Sequence, residues 1–202
     1  MAKLYFYYAS MNAGKSTMML QADFNYRERG MATMVWTAAV DDRYRAGTIR
    51  SRIGLERPAH MFDAATDLHA AIDACHAATP LSCVLVDEAQ FLSRDQVFQL
   101  AGVADERNIP VLAYGLRTDF QANLFAGSQW LLALADTLTE IKAVCACGRK
   151  ATMNLRLDDA GRVARDGAQT EIGGNDRYLA VCRRHFMAAM REGALPDAIR
   201  LA

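Results

Sequence analysis

Three groups of residues in this chain have types and spacings that can do chemistry. The first runs Ala9-Ser10-Met11-Asn12-Ala13-Gly14-Lys15-Ser16-Thr17, directly after the apolar run Leu4-Tyr5-Phe6-Tyr7-Tyr8. A strand that feeds a tight turn and then a helix aims successive backbone N–H groups into one concavity, and the helix N-terminus adds partial positive charge. Ala9 to Thr17 therefore read as a loop that binds a nucleoside triphosphate. Lys15 is placed to reach the β- and γ-phosphates, and the Ser16 hydroxyl to ligate Mg²⁺. Ala9 stands where this loop pattern usually has its first glycine, and alanine does not take positive φ cheaply.

The second group is Asp87-Glu88, which follows the continuous apolar run Cys83-Val84-Leu85-Val86. At the end of a buried strand in a nucleotide-binding sheet, this pair falls beside the phosphate loop. Asp87 there organises Mg²⁺ together with Ser16, and Gln90 joins the nucleotide-binding set. Glu88 is left free to act as a base. It could deprotonate water, giving an ATPase, or a substrate hydroxyl, giving a kinase. The string Asp-Glu-Ala-Gln-Phe also occurs in helicase-type ATPases, so these residues alone do not choose the acceptor.

The third group is Cys145-Ala146-Cys147 and Cys182-Arg183-Arg184-His185. Three thiolates and one imidazole suit a closed tetrahedral Zn²⁺ site. Residues two apart in an extended segment share a face, so Cys145 and Cys147 can converge. A structural metal would close the long intervening loop, Gly148 to Val181, against its entropy. Cys75 and Cys83 read as packing residues, and His60, His69 and His76 as lone, exposed side chains.

The rest of the chain must position these groups. Its 202 residues suit one substantial domain and a small appendage, and 52% apolar with 23% charged residues is a globular composition. Lys+Arg and Asp+Glu balance at 23 each, which argues against a nucleic-acid partner. No secretory leader or membrane-spanning run is visible, and five cysteines with metal-like spacing fit a reducing, cytoplasmic setting.

Strand and helix patterns alternate through the first two-thirds. Ser16 to Arg29 reads as a helix, Thr33 to Thr37 as a strand, Val40 to Pro58 as loop, and Asp67 to His76 as a helix. Cys83 to Val86 is a strand, and Ser93 opens a helix as N-cap with Gln96 completing a capping box. Ile109 to Tyr114, Leu124 to Leu134 and Leu138 to Val144 read as strand, helix and strand. This alternation predicts an α/β fold, a parallel sheet covered on both faces. The expected organisation is a P-loop, RecA-like domain over residues 1–142, a small β-rich zinc domain over 143–192, and a frayed tail over 193–202.

Together, the phosphate loop, Asp-Glu-Ala-Gln-Phe and the late zinc-pinned loop resemble the cytosolic, zinc-containing (type II) thymidine kinases, with wording close to enterobacterial members. Tyr114 to Phe120 and Ile172-Gly173-Gly174-x-x-Arg177-Tyr178 look like family strings as well. The resemblance implies transfer of the γ-phosphate of ATP to the 5′-hydroxyl of thymidine or deoxyuridine. It makes Glu88 the catalytic base and places Arg43 near the transferred phosphate. It puts Phe91, Leu116, Phe120 and Tyr178 around the nucleoside. Met153, Asn154, Glu171, Ile172 and Gly173 would lie in a lasso that closes over the thymine, recognising it through main-chain groups. A homotetramer and feedback inhibition by thymidine triphosphate are implied on the same ground. Many members carry Cys-x-x-Cys in both metal pairs; here the pairs are Cys-x-Cys and Cys-x-x-His.

Overall fold

Alternate residues along the central strands feed two different cores, and this parity builds the molecule. The computed structural model describes residues 1–39, 47–170, 177–196 and 199. The first strand, β1 (Leu4–Ala9), leads into helix α1 (Lys15–Arg27) and then β2 (Ala32–Ala38). A short hairpin follows, β3 (Thr48–Arg50) with β4 (Glu56–Pro58), and then β5 (His60–Phe62). Helix α2 (Leu68–Ala78), β6 (Leu81–Val86), helix α3 (Arg94–Arg107), β7 (Val111–Leu116), helix α4 (Ala126–Leu134) and β8 (Thr137–Glu140) complete the larger part.

Six strands form one sheet in the order β5-β2-β6-β7-β1-β8, and every pairing in it is parallel. Leu4, Phe6, Val84, Val86, Val111 and Ala113 face helices α2, α3 and α4, while Cys83, Leu85, Leu112 and Tyr114 face α1. A strand period of two puts neighbouring residues on opposite faces, so strands covered on both sides must be apolar throughout. Burial pushes the Cys83 thiol up to about 12, as fits a packing residue. Cys75 is half-buried and packs against the other core.

The smaller part holds β9 (Ala143–Val144), β10 (Lys150–Ala151), β11 (Met153–Arg156), β12 (Tyr178–Val181) and helix α5 (Arg183–Glu192). β9 pairs with β10 and β11 with β12, both antiparallel. Leu155, Val181, Phe186 and Ala189 anchor a third core there. Ile199, within the segment expected to fray, is buried in that core at 3% exposure.

Several expectations change. The segment read as loop contains the β3–β4 hairpin. Its strands are three residues long and carry one fully buried residue, Ile49, too short a run for a periodic signal. The strand expected over Leu138 to Val144 divides, because the chain leaves the sheet after Glu140 and β9 pairs elsewhere. Helix α4 begins at Ala126 after Phe125, not at Leu124, which is held in a bridge to Thr118. His69 and His76 are half-buried, not exposed. His69 lies 3.4 Å from Asp73, and His76 Nδ1 accepts from the Leu81 N–H at 2.9 Å. The capping box at Ser93 forms in full: its hydroxyl accepts from Gln96 N–H, and the Gln96 side chain accepts from Ser93 N–H.

Candidate active site and metal centre

The phosphate loop leaves β1 at Ala9, which is buried and paired with Leu116 in regular strand geometry. Positive φ falls later, on Asn12 (62°) and on Gly14 (85°). A Cβ at Gly14 would meet nothing within 4 Å, so its backbone conformation alone asks for glycine. Ala9 therefore needs no glycine-like freedom in this fold.

Gly14 caps α1, and Lys15 and Ser16 open the helix. Lys15 is buried, and its Nζ donates to Ser10 O at 3.1 Å. Ser10 Oγ is buried with no hydrogen-bond partner among the described residues. The Ser16 hydroxyl donates to Asp87 Oδ2 at 2.9 Å, which joins the loop to the end of β6. A cavity of about 280 Å³ lies over these groups. It is lined by Asn12 to Thr17, by Asp87 and Glu88, and on the other wall by Ile49 to Ile53 of the hairpin.

The acidic pair is held from several directions. Asp87 is 2% exposed, and its Oδ1 accepts from the Glu88 N–H at 3.0 Å. Burial raises its carboxyl to about 7, with the Glu88 charge adding to the rise; the Ser16 hydroxyl and Lys15 oppose it. Glu88 sits at φ 51°, in the left-handed region, and starts a one-turn 3₁₀ segment, Ala89–Phe91. Gln90 fixes its carboxylate. Gln90 Oε1 accepts from Leu116 N–H at 3.0 Å, so its Nε2 faces Glu88 Oε2 and donates at 2.5 Å. A Cβ on Gly115 would come within 2.9 Å of Gln90 Oε1, and one on Gly127 within 2.4 Å of the Ala89 carbonyl oxygen. Both glycines let neighbouring backbone approach the turn that carries Glu88.

The remaining predicted residues cluster unevenly. Leu116 ends β7, and the Phe91 ring meets Phe125 edge-on at 5.9 Å. Phe120 is buried beneath the Arg156 guanidinium, 3.7 Å from its ring centroid. Met153, Asn154 and Tyr178 all lie on the β11–β12 pair. Asn154 Oδ1 accepts from Met11 N–H at 2.8 Å and its Nδ2 donates to Thr118 O at 3.3 Å. Its amide thus stitches the smaller part to the phosphate loop. Arg43, Glu171, Ile172 and Gly173 lie outside the described residues.

Sequence reasoning missed two contributors. The hairpin wall, Ile49 to Ile53, was hidden in a segment with no periodic pattern. Arg156, buried, also donates to the carbonyls of Ala168 and Asp166 at 2.7 and 3.2 Å. With Asn154 it is one of two polar residues in the four-residue strand β11, and both are buried; a strand that alternates Met-Asn-Leu-Arg gave no sign that its polar positions also turn inward.

At the far end, Cys145, Cys147, Cys182 and His185 bring their ligand atoms within 4.8 Å of one another. Cys145 Sγ lies 3.3 Å from His185 Nδ1, and Cys147 Sγ lies 3.9 Å from Cys182 Sγ. Tetrahedral Zn²⁺ with ligand bonds of about 2.0 to 2.3 Å requires edges close to these lengths. Cys145 and Cys147 flank a turn completed by Gly148 at φ 77°, and Cys182 and His185 sit at the first turn of α5. The Cys-x-Cys spacing is no obstacle, because the turn brings both sulfurs to one side. Backbone hydrogen bonding at Arg149 lowers the Cys147 thiol, while burial raises Cys145.

The thymidine kinase family model matches residues 2–186. Among similar proteins, the thymidine kinase of Novosphingobium aromaticivorans is 73% identical over 94% of this chain and 99% of its own length. That of Zymomonas mobilis is 65% identical over 93% of this chain and 97% of its own. That of Escherichia coli O157:H7 is 56% identical over 96% of this chain and 95% of its own. Matches of this extent leave no part of the described site outside the shared region. This chain belongs to the thymidine kinase family.

Proposed function

We propose that this protein transfers the γ-phosphate of ATP to the 5′-hydroxyl of thymidine or deoxyuridine. The observation that carries the transfer reading is Glu88. Its carboxylate is fixed by Gln90, and Glu88 lines the phosphate cavity together with Asp87 and Lys15. The nature of the acceptor rests on relatives that are named thymidine kinases.

The loop from Ser10 to Thr17 holds the triphosphate, chiefly through its N–H groups and Lys15. Ser16 and Asp87 would hold Mg²⁺, which when bound neutralises charge on the phosphates. The two are already 2.9 Å apart, and an acidic oxygen with a hydroxyl beside a phosphate loop suits a hard cation. Glu88 accepts the proton of the 5′-hydroxyl as that oxygen bonds to the γ-phosphorus and the bond from phosphorus to the β,γ-bridging oxygen breaks. Arg43 adds positive charge at the transferred group. Met153, Asn154, Glu171, Ile172 and Gly173 belong to the lasso over the base, with Phe91, Leu116, Phe120 and Tyr178 around the nucleoside. Zn²⁺ at the Cys145–His185 cluster is structural. The molecule divides as a P-loop domain over 1–142, a zinc domain over 143–192 and a tail. We infer also a cytoplasmic homotetramer, inhibited by thymidine triphosphate, with no nucleic-acid or membrane partner. The charge balance supports the former absence, and among the described residues no helix is long and apolar enough to cross a membrane.

The deciding experiment is a nucleoside panel with ATP and Mg²⁺, reading 5′-monophosphate. Thymidine and deoxyuridine are expected to be converted. Failure with every pyrimidine deoxynucleoside would overturn the reading, and DNA-stimulated ATP hydrolysis in its place would favour a motor-type ATPase.

A further inference from the structure

The wall of the phosphate cavity opposite the loop is the β3–β4 hairpin, a two-stranded ribbon outside the main sheet. Such a ribbon is marginal by itself and keeps its place through what it packs on. Ile49 and Arg57 are directly paired across it, so both side chains project from one face. Ile49 enters the core beneath α1. Arg57 reaches Asp23 of α1 as an ion pair, with Nε 3.1 Å from Asp23 Oδ2, although its N–H is not aligned to hydrogen-bond there.

Asp23 is 1% exposed on a helix whose other buried residues are apolar apart from Lys15 at its start. Its carboxylate also accepts from Arg27 Nε at 2.8 Å and from the Thr33 hydroxyl at 2.5 Å. A carboxylate this deeply buried persists only when cations and donors surround it. Here they come from α1 itself, from β2 and from the hairpin. The described catalytic groups make no use of it.

We infer that Asp23 is a positioning residue for the triphosphate. Through Arg57 it pins the hairpin to the helix that begins at the phosphate loop, and so fixes the spacing between the two walls of the cavity. The pinned wall carries Arg50 and Arg52. Arg50 is paired with Glu56 at 3.0 Å, and among the described residues both Arg50 and Arg52 line the cavity on this wall, placing cationic side chains beside a phosphate chain. This inference rests on the proposed use of ATP at that cavity.

Arg57 and Arg27 both pair with the same carboxylate, but only Arg57 belongs to the hairpin. Comparing R57Q with R27Q therefore separates clamping from general support of Asp23. In steady-state kinetics R57Q is expected to raise KM for ATP about fivefold while KM for thymidine stays at the wild-type value, and R27Q to leave both unchanged. Trypsin cleavage after Arg50 and Arg52 should quicken in R57Q and not in R27Q, at temperatures where both remain folded by circular dichroism. D23N should match R57Q, and the double variant D23N/R57Q should be no worse than D23N, as residues acting through one contact are non-additive. An unchanged KM for ATP in R57Q, or an equal rise in R27Q, would overturn the clamp. Should wild type phosphorylate no nucleoside, the kinase reading fails by itself. Calorimetric affinity for a non-hydrolysable ATP analogue then tests the clamp separately, with equal affinities of wild type and R57Q refuting it.

Discussion

At Glu88 the backbone takes a conformation that L-residues avoid, at a cost of order 1–3 kcal/mol. The turn holds because Asp87 accepts its N–H and Gln90 ties its carboxylate to β7. The strain aims the carboxylate into the cavity, which a regular strand end would not do. E88Q keeps the shape and removes the proposed base. It is expected to bind thymidine normally and to lose about 10²-fold or more in kcat, the usual worth of a general base; near-normal kcat would sink the assignment. Asp87 makes a second prediction. Its folded-state carboxyl is raised from 3.8 to about 7, so between those values the folded protein holds a proton that the unfolded chain has released. Stability of the nucleotide-free protein should therefore fall as pH rises from about 4 towards about 7. Thermal melts across that range should show the decline in wild type and a shallower one in D87N; parallel curves would refute it. From sequence these two residues were identifiable as an acidic pair after a strand. The bond between Gln90 and Glu88 was not, because it depends on the chain turning back on itself within one 3₁₀ turn.

At the scale of elements, the site depends on how closely α4 approaches the turn after β6. Gly127 lies in the first turn of that helix, and a Cβ there would meet the carbonyl oxygens of Ala89, Gln90 and Leu92 within 2.9 Å. Backbone cannot yield as a flexible side chain does. G127A is therefore expected to destabilise the protein by about 1–3 kcal/mol and to lower kcat by displacing Glu88. A wild-type melting temperature would show that the helix has room to shift. The long elements were legible in the sequence: β6 from its continuous apolar run, α3 from its capping box, the phosphate loop from strand, turn and helix in order. The hairpin was not, since three-residue strands carry no period and its place comes from Ile49 and Arg57 meeting α1.

For the whole molecule, the question is how the smaller part is joined to the larger. Asn154 bonds to Met11 and Thr118, and Arg117 donates to the Thr152 carbonyl at 3.2 Å. The third core is small, so much of its order would come from a metal at the Cys145–His185 cluster. Purified protein is expected to contain one zinc per chain. Chelation should raise hydrogen exchange across β9 to α5 and leave β1, β6 and β7 protected, with thymidine affinity lost. Unchanged exchange in verified zinc-free protein would deny the metal a structural role.

The sequence by itself determined the phosphate-loop pattern, the acidic pair, the four candidate metal ligands and the alternation that makes a parallel sheet. Each of these is written in local spacing, where residue types a few positions apart suffice. Tertiary structure decided what spacing does not encode: that Ala9 needs no positive φ, that Gln90 orients Glu88, that Asn154 bridges to the phosphate loop, and that a hairpin from an aperiodic segment walls the cavity. Those contacts join residues distant along the chain, and only the folded packing of α1, β7 and the smaller part brings them within bonding distance.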